Sequence, residues 1–304
     1  MNNKTLVIVF ASLIAIYFLT QMGSKKEARS FKTDLVSLDT ASITKITFKT
    51  KQSPEEILLQ RNEGVWNISK GNITAPCDAI VVNGLLDQVA DINSIRPAAT
   101  KAEKWVEYEV DDKTGSNMKF YAGDKLVSEF VVGRLNIDQR RQTMESFLRL
   151  PGDDIVYATN SHLPLTLQNG FNGFRNKTIL NIDPVKIYQI SYNANGAEQT
   201  LDLQNGNWNV GGVAKDSTTV VNWISKVAAF KGSEFQDDVS ALASASPIKS
   251  INIKGQKTAQ VRLYQNPGEG KPFIIHSSQN DGAYFLSDST ALFQGMFEEL
   301  EAIF

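Results

Sequence analysis

The sequence repeats itself, and a chain that repeats has to build one supersecondary unit twice. Residues 38–48 align without a gap on residues 182–192, with Asp39 on Asp183, Ile43 on Ile187, Ile46 on Ile190 and Phe48 on Tyr192. Both stretches end in the period-two alternation of a half-buried strand. A second strand follows in each copy, residues 57–61 and 201–204, and each leads through a glycine turn to a tryptophan, Gly64-Val65-Trp66 and Gly206-Asn207-Trp208. Asn205-Gly206 supplies the positive-φ residues of a tight hairpin, and Asn62-Glu63-Gly64 is its three-residue equivalent.

A helix is expected next in both copies. In the first, Asp78 is placed to cap free N–H groups, and Val81, Val82, Leu85, Leu86, Val89 and Ile92 recur at helical spacing. In the second, Asp216 or Ser217 caps, and Val220, Val221, Ile224, Val227 and Ala228 repeat the apolar face. Gly84 inside the first helix costs about 1 kcal/mol relative to alanine, which predicts close packing against a neighbour. The back halves read as strand meanders over 118–121, 126–132, 146–150 and 155–158, and over 251–253, 261–264, 273–275 and 284–286. A final helix capped near Ser287 or Asp288 buries Leu292, Phe293, Met296, Phe297, Leu300 and Ile303.

The expected fold class is therefore α+β. Two tandem repeats, each an antiparallel twisted sheet with helices packed on one face, follow one N-terminal transmembrane helix. The expected divisions are 1–30 as membrane anchor and stalk, 31–172 as first repeat and 173–304 as second, joined near residues 170–183.

The anchor rests on residues 5–22, eighteen positions without a charge, which as a helix span about 27 Å, enough to cross a bilayer's hydrocarbon. No small-residue cleavage site follows, so the helix is expected to stay as an uncleaved signal anchor. Counting positive charges does not orient it, because Lys25, Lys26 and Arg29 outnumber Lys4 and the amine. A short basic start feeding an apolar run is also the plan of a secretory signal. That favours a single-pass protein of the inner (cytoplasmic) membrane with its C-terminal domain extracytoplasmic. The only cysteine, Cys77, lies too far along to carry a lipid and has no disulfide partner.

Chemistry is harder to find. A net charge of -2 leaves no basic excess for nucleic acid. His162 and His276 each stand alone and are expected at the surface or an edge, so no metal-ligand spacing exists. The sequence has neither a Gly-x-Gly-x-x-Gly nor a phosphate-binding loop, and no nucleophile elbow, so neither a catalytic motif nor a small-molecule cofactor is expected. The pairs Asp111-Asp112, Asp153-Asp154 and Asp237-Asp238 lie beside turn residues and read as solvated turn carboxylates.

Five residues are kept as candidate ligand or partner contacts: Trp66, Trp208, Arg140, Arg141 and Arg149. The tryptophans read first as core, the alternative being matched indoles that stack on sugar rings. The arginines read first as a solvated surface, the alternative being contact with an anionic partner.

In order along the chain, Asp39 before Ile43-x-x-Ile46-x-Phe48, Gly64-Val65-Trp66, Pro76-Cys77-Asp78, Val132-Gly133, residues 147–150, Val156-Tyr157 and Phe174-Arg175-Asn176-Lys177 form a pattern. That pattern resembles the domain-of-unknown-function 4340 family over roughly residues 35–300. It departs at Asn176, where the family pattern has aspartate. The resemblance implies an N-terminal membrane helix and genes beside ABC-type transporters, including auxiliary and gliding-motility systems, and it carries no catalytic residues.

The expected function is a non-enzymatic, membrane-anchored accessory or scaffold protein associated with an ABC-type transporter or a gliding or envelope complex. Its expected contacts are membrane lipid through residues 5–22 and a membrane-protein partner, without nucleic acid. The alternative is an envelope glycan- or ligand-binding module working through the cleft between repeats.

Overall fold

The computed structural model describes residues 32–304 except 52 and 141. The expected anchor and stalk, and Arg141, lie outside these. Among the described residues no helix is long and apolar enough to cross a membrane.

Two antiparallel sheets make up most of the body. The first contains β1 (Asp34–Ser37), β2 (Lys45–Thr50), β3 (Ser53–Asn62), β4 (Val65–Lys70), β5 (Ile73–Pro76), β6 (Asp91–Ala99), β7 (Ser116–Ala122), β8 (Lys125–Asp138), β9 (Thr143–Arg149) and β10 (Val156–Thr159). Its spatial order is β1-β6-β10-β9-β8-β7-β2-β3-β4-β5. The second contains β11 (Gln189–Ala194), β12 (Ala197–Gln204), β13 (Asn207–Val210), β14 (Val213–Ala214), β15 (Lys249–Lys254), β16 (Ala259–Gln265), β17 (Phe273–Ser277) and β18 (Tyr284–Ser287). Its order is β14-β13-β12-β11-β15-β16-β17-β18, the same path strand for strand as β5 through β10.

Among the described residues helices are few and short: α1 (Ala79–Ala90), α2 (Trp105–Tyr108), α3 (Leu163–Leu167), α4 (Gly170–Phe174), α5 (Ser217–Val227) and α6 (Ala291–Phe293). The last runs through a π-helical turn (Gln294–Glu298) into α7 (Glu299–Glu301).

The repetition extends to individual hydrogen bonds. Asp39 accepts from the Ala41 amide and Asp183 from the Val185 amide, each capping one 3-10 turn. Asp78 caps α1 through the Ile80 amide at 3.0 Å, and Asp216 caps α5 through the Thr218 amide at 3.1 Å. The Trp66 carbonyl accepts from Cys77 as the Trp208 carbonyl accepts from Lys215, and the Ala90 carbonyl accepts from Leu38 as the Ala228 carbonyl accepts from Ile182. These bonds satisfy backbone groups at helix ends that would otherwise be orphaned, so the two copies keep them together.

The copies diverge after the helix. In the first, β6 crosses to pair with β10 and β1 pairs with β6. In the second, the same places make only the isolated bridges Phe235↔Phe285 and Thr178↔Lys231. Gly232 lies flat on the Phe285 ring, where a Cβ would sit 2.1 Å from Cδ1, and glycine holds strand geometry poorly.

Each sheet has its own core. One joins Ile46, Phe48, Leu59, Ile68 and Phe120 with Val82, Leu85 and Val89 of α1; the other joins Ile190, Leu201, Ile253 and Leu263 with Val220, Ile224 and Val227 of α5. A smaller cluster of Val110, Val131, Phe147, Val156 and Ala158 packs with Trp105 and Tyr108 of α2. Removing such apolar surface from water is the main term holding each unit together.

Several expectations need correction. The first helix ends at Ala90 and Ile92 belongs to β6. In α5 Val221 is half exposed, and Trp223 takes the buried position instead. No heavy atom lies within 4 Å of a Cβ built on Gly84, so no close packing explains that glycine. The last helix starts at Ala291; Ser287 is buried in β18, while Asp288 accepts from the Thr290 amide.

Candidate functional site

The two repeats meet along residues 174–178, where several side-chain hydrogen bonds and two ion pairs cross from one to the other. α4 ends at Phe174, and Arg175 turns extended at φ -66, ψ 145. The chain then pairs first with one repeat and then with the other. The Phe174 carbonyl accepts from Asp78 and the Asn176 amide donates to the Pro76 carbonyl, both at 2.8 Å. One residue on, the Lys177 carbonyl accepts from Gly232 at 2.8 Å. Asn280 locks the crossing by donating its side-chain amide to the carbonyls of Asn176, at 2.8 Å, and Thr178, at 3.1 Å.

Arg175 is only 2% exposed. Its two terminal nitrogens reach the two carboxylate oxygens of Asp237 in the second repeat at 2.8 and 3.1 Å, and one also donates to Asn172 at 3.2 Å. The guanidinium carbon lies 3.7 Å from the Phe235 ring centre and 5.1 Å from that of Phe171. A planar fork that pairs with a carboxylate through two parallel bonds while its carbon lies over an aromatic ring is a role arginine fills and lysine does not. Its Nε is buried without a partner. A second ion pair, Lys231 to Asp78 at 3.3 Å, crosses the joint nearby.

Two recesses flank this seam. One, about 570 Å³, is lined by Ser53, Asn72, Gln168, Asn169 and Phe171 of the first repeat and Asp237 of the second. The other, about 380 Å³, is lined by Cys77, Asp78, Asn176 and Lys231 among others. Burial, with the neighbouring Asp78 charge adding to it, pushes the Cys77 thiol up to about 12. A thiol held protonated is a poor nucleophile.

Of the five candidate ligand or partner contacts, the four described ones, Trp66, Trp208, Arg140 and Arg149, line neither recess. Trp66 and Trp208 are 7% and 3% exposed and sit in the two separate cores. Neither indole face is open to a sugar ring. Arg149 is also buried: its Nε donates to the Val110 carbonyl at 2.9 Å, and its guanidinium lies 3.9 Å from the Trp105 ring centre. Arg140 is exposed in the β8–β9 turn, and Arg141 lies outside the described residues.

His162 is exposed at the start of α3, as expected. His276 is not a surface residue: it is 5% exposed in β17, stacked on Tyr284, with its Nε2 3.1 Å from the Asp281 carbonyl oxygen and 3.3 Å from the Asp281 carboxylate. Among the described residues no hydroxyl hydrogen-bonds to this imidazole, and no group of three or more metal-ligating side chains converges.

The acidic pairs divide between roles. Asp111 accepts from Lys113 and Thr114, and Asp153 from Ile155 and the Tyr157 hydroxyl, both as turn residues. Asp238 caps Ser240 in the same way, but its neighbour Asp237 is the partner of Arg175. The sequence carried one signal for this pair, the arginine in Phe174-Arg175-Asn176-Lys177. Nothing local marked Asp237 out from the other turn carboxylates.

No curated protein and no solved structure matches the chain. A family profile does match, over residues 70–247, a span that begins at the end of β4, includes Arg175, Lys231 and Asp237 but not Asn280, and stops short of β15. That span covers more than half of the chain, and the chain therefore belongs to the family described as Domain of unknown function (DUF4340).

Proposed function

We propose that the chain is a non-enzymatic scaffold of the inner membrane. In this reading residues 5–22 cross the bilayer once, and residues 31–172 and 173–304 stand outside it as two α+β repeats with helices covering one face of each sheet. The pair docks onto a membrane protein of the ABC-transporter type or onto a gliding or envelope complex. The observation that carries this reading is the Arg175–Asp237 fork, backed by the Lys231–Asp78 pair, because two ties across one seam fix the orientation of the repeats. A fixed orientation suits a protein that presents a surface to a partner.

The test is purification of the full chain from mild detergent after in-cell crosslinking through a photoreactive residue placed at Lys25. Co-recovery of an integral membrane subunit supports the proposal. Recovery of the chain alone, monodisperse and uncrosslinked, overturns it.

A further inference from the structure

The recess of about 570 Å³ beside the Arg175 fork has the size of a small-molecule site, which spans about 300–1,000 Å³. The geometry points to a neutral, hydroxyl-rich ligand there, a short glycan segment held mainly by side-chain amides. Asn72, Gln168, Asn169 and Asn172 all line the recess. Each primary amide offers a donor and an acceptor side by side, which matches sugar hydroxyls that are themselves both.

Thr50 and Ser53 add hydroxyls, and the buried Ser53 hydroxyl has no partner within the chain. Phe171, itself 8% exposed, adds a small apolar stretch of wall. Gly170, at φ +50, breaks α3 from α4 and carries the amide-rich turn of residues 168–172 along the recess wall.

Charge argues against an ionic ligand. Lys70 and Glu55 both line the recess with opposite signs, and both carboxylate oxygens of Asp237 are committed to Arg175. The wall therefore offers little net field to select an anion or a cation. Asp237 alone comes from the second repeat, so a bound glycan touches both halves of the joint. The site owes nothing to Trp66 or Trp208, and it stands or falls independently of partner docking.

The test uses the full chain in nanodiscs, which avoids glycoside detergents. Chitotriose, maltotriose and cellotriose are titrated by calorimetry and by saturation-transfer NMR, with trigalacturonate as the charged probe. At least one neutral trisaccharide is expected to saturate with Kd near or below about 1 mM. Asn72→Ala with Asn169→Ala, both at exposed positions, is expected to weaken it by about tenfold or more with an unchanged melting temperature. Asn181→Ala, which lines a different recess, is expected to leave it unchanged. The proposal is overturned if no neutral sugar saturates by about 10 mM, if the double variant binds like the parent, or if trigalacturonate binds more tightly than every neutral probe.

Discussion

Arg175 and Asp237 lie 62 positions apart in sequence, in different repeats, and meet as a two-pronged ion pair roofed by the Phe235 ring. The arginine is buried while its partner's side chain is about a third exposed, at 34%. The pair is therefore asymmetric: losing the carboxylate strands a cation in the protein, whereas losing the cation frees a carboxylate that water can reach.

Asp237→Ala is accordingly expected to lower stability by about 3 kcal/mol, the cost of leaving a buried charge without its counter-charge. Because the two cores are separate clusters, loss of this tie should also resolve urea unfolding into two steps. Circular dichroism and tryptophan fluorescence followed together would show it. A single transition at the parental midpoint would mean the fork is ornamental.

Gly84→Ala should stabilise the chain. The residue sits inside α1 with open space around its missing Cβ, so alanine gains about 0.5–1 kcal/mol of helix propensity and meets no obstacle. An upward shift in the denaturation midpoint is the expected reading, and a downward one would reveal a contact at that face.

Cys77 should react slowly with Ellman's reagent in the folded chain and quickly once unfolded, because burial, then Asp78, raise its thiol from 9.0 to about 12. The linkage has a definite sign. Below pH 9 both states keep the proton and the thiol leaves stability unchanged; between about 9 and 12 only the unfolded state ionises, and stability falls as pH rises. Cys77→Ala should flatten that alkaline decline in a pH series of denaturant titrations.

Trp66→Ala and Trp208→Ala should each cost about 3–5 kcal/mol, the range for emptying a buried aromatic site. Iodide should barely quench either indole in single-tryptophan variants. Efficient quenching of one of them would place it at the surface.

The duplication was legible because both copies preserve alternation, turn glycines and tryptophan at matching places, and period-two patterns survive substitution of one apolar residue by another. Asp78 and Asp216 were likewise readable as caps, a local signal in each case, whereas Asp39 and Asp183 were legible only as an aligned pair. What escaped was non-local. β6 begins within the apolar spacing that continues α1, so Ile92 fits the helix pattern although its backbone pairs with β1. Trp223 lies between Asn222 and Ile224 and takes the place on the apolar face that the sequence pattern assigns to Val221. The joint was the least readable part, since an arginine and an aspartate become a pair only when two separately folded units come into register.

β1 is four residues long, lies at the outer edge of the first sheet, and is the first strand after the N-terminal segment. For a chain suspended by that segment, any pull enters the fold at Asp34 and meets first its pairing with Asn93 on β6. Rungs loaded from one end open one after another rather than all together, so tension entering there would peel this short strand before the strands behind it. In a chain held by its N-terminal end, the edge of the first sheet would thus be where opening under load begins.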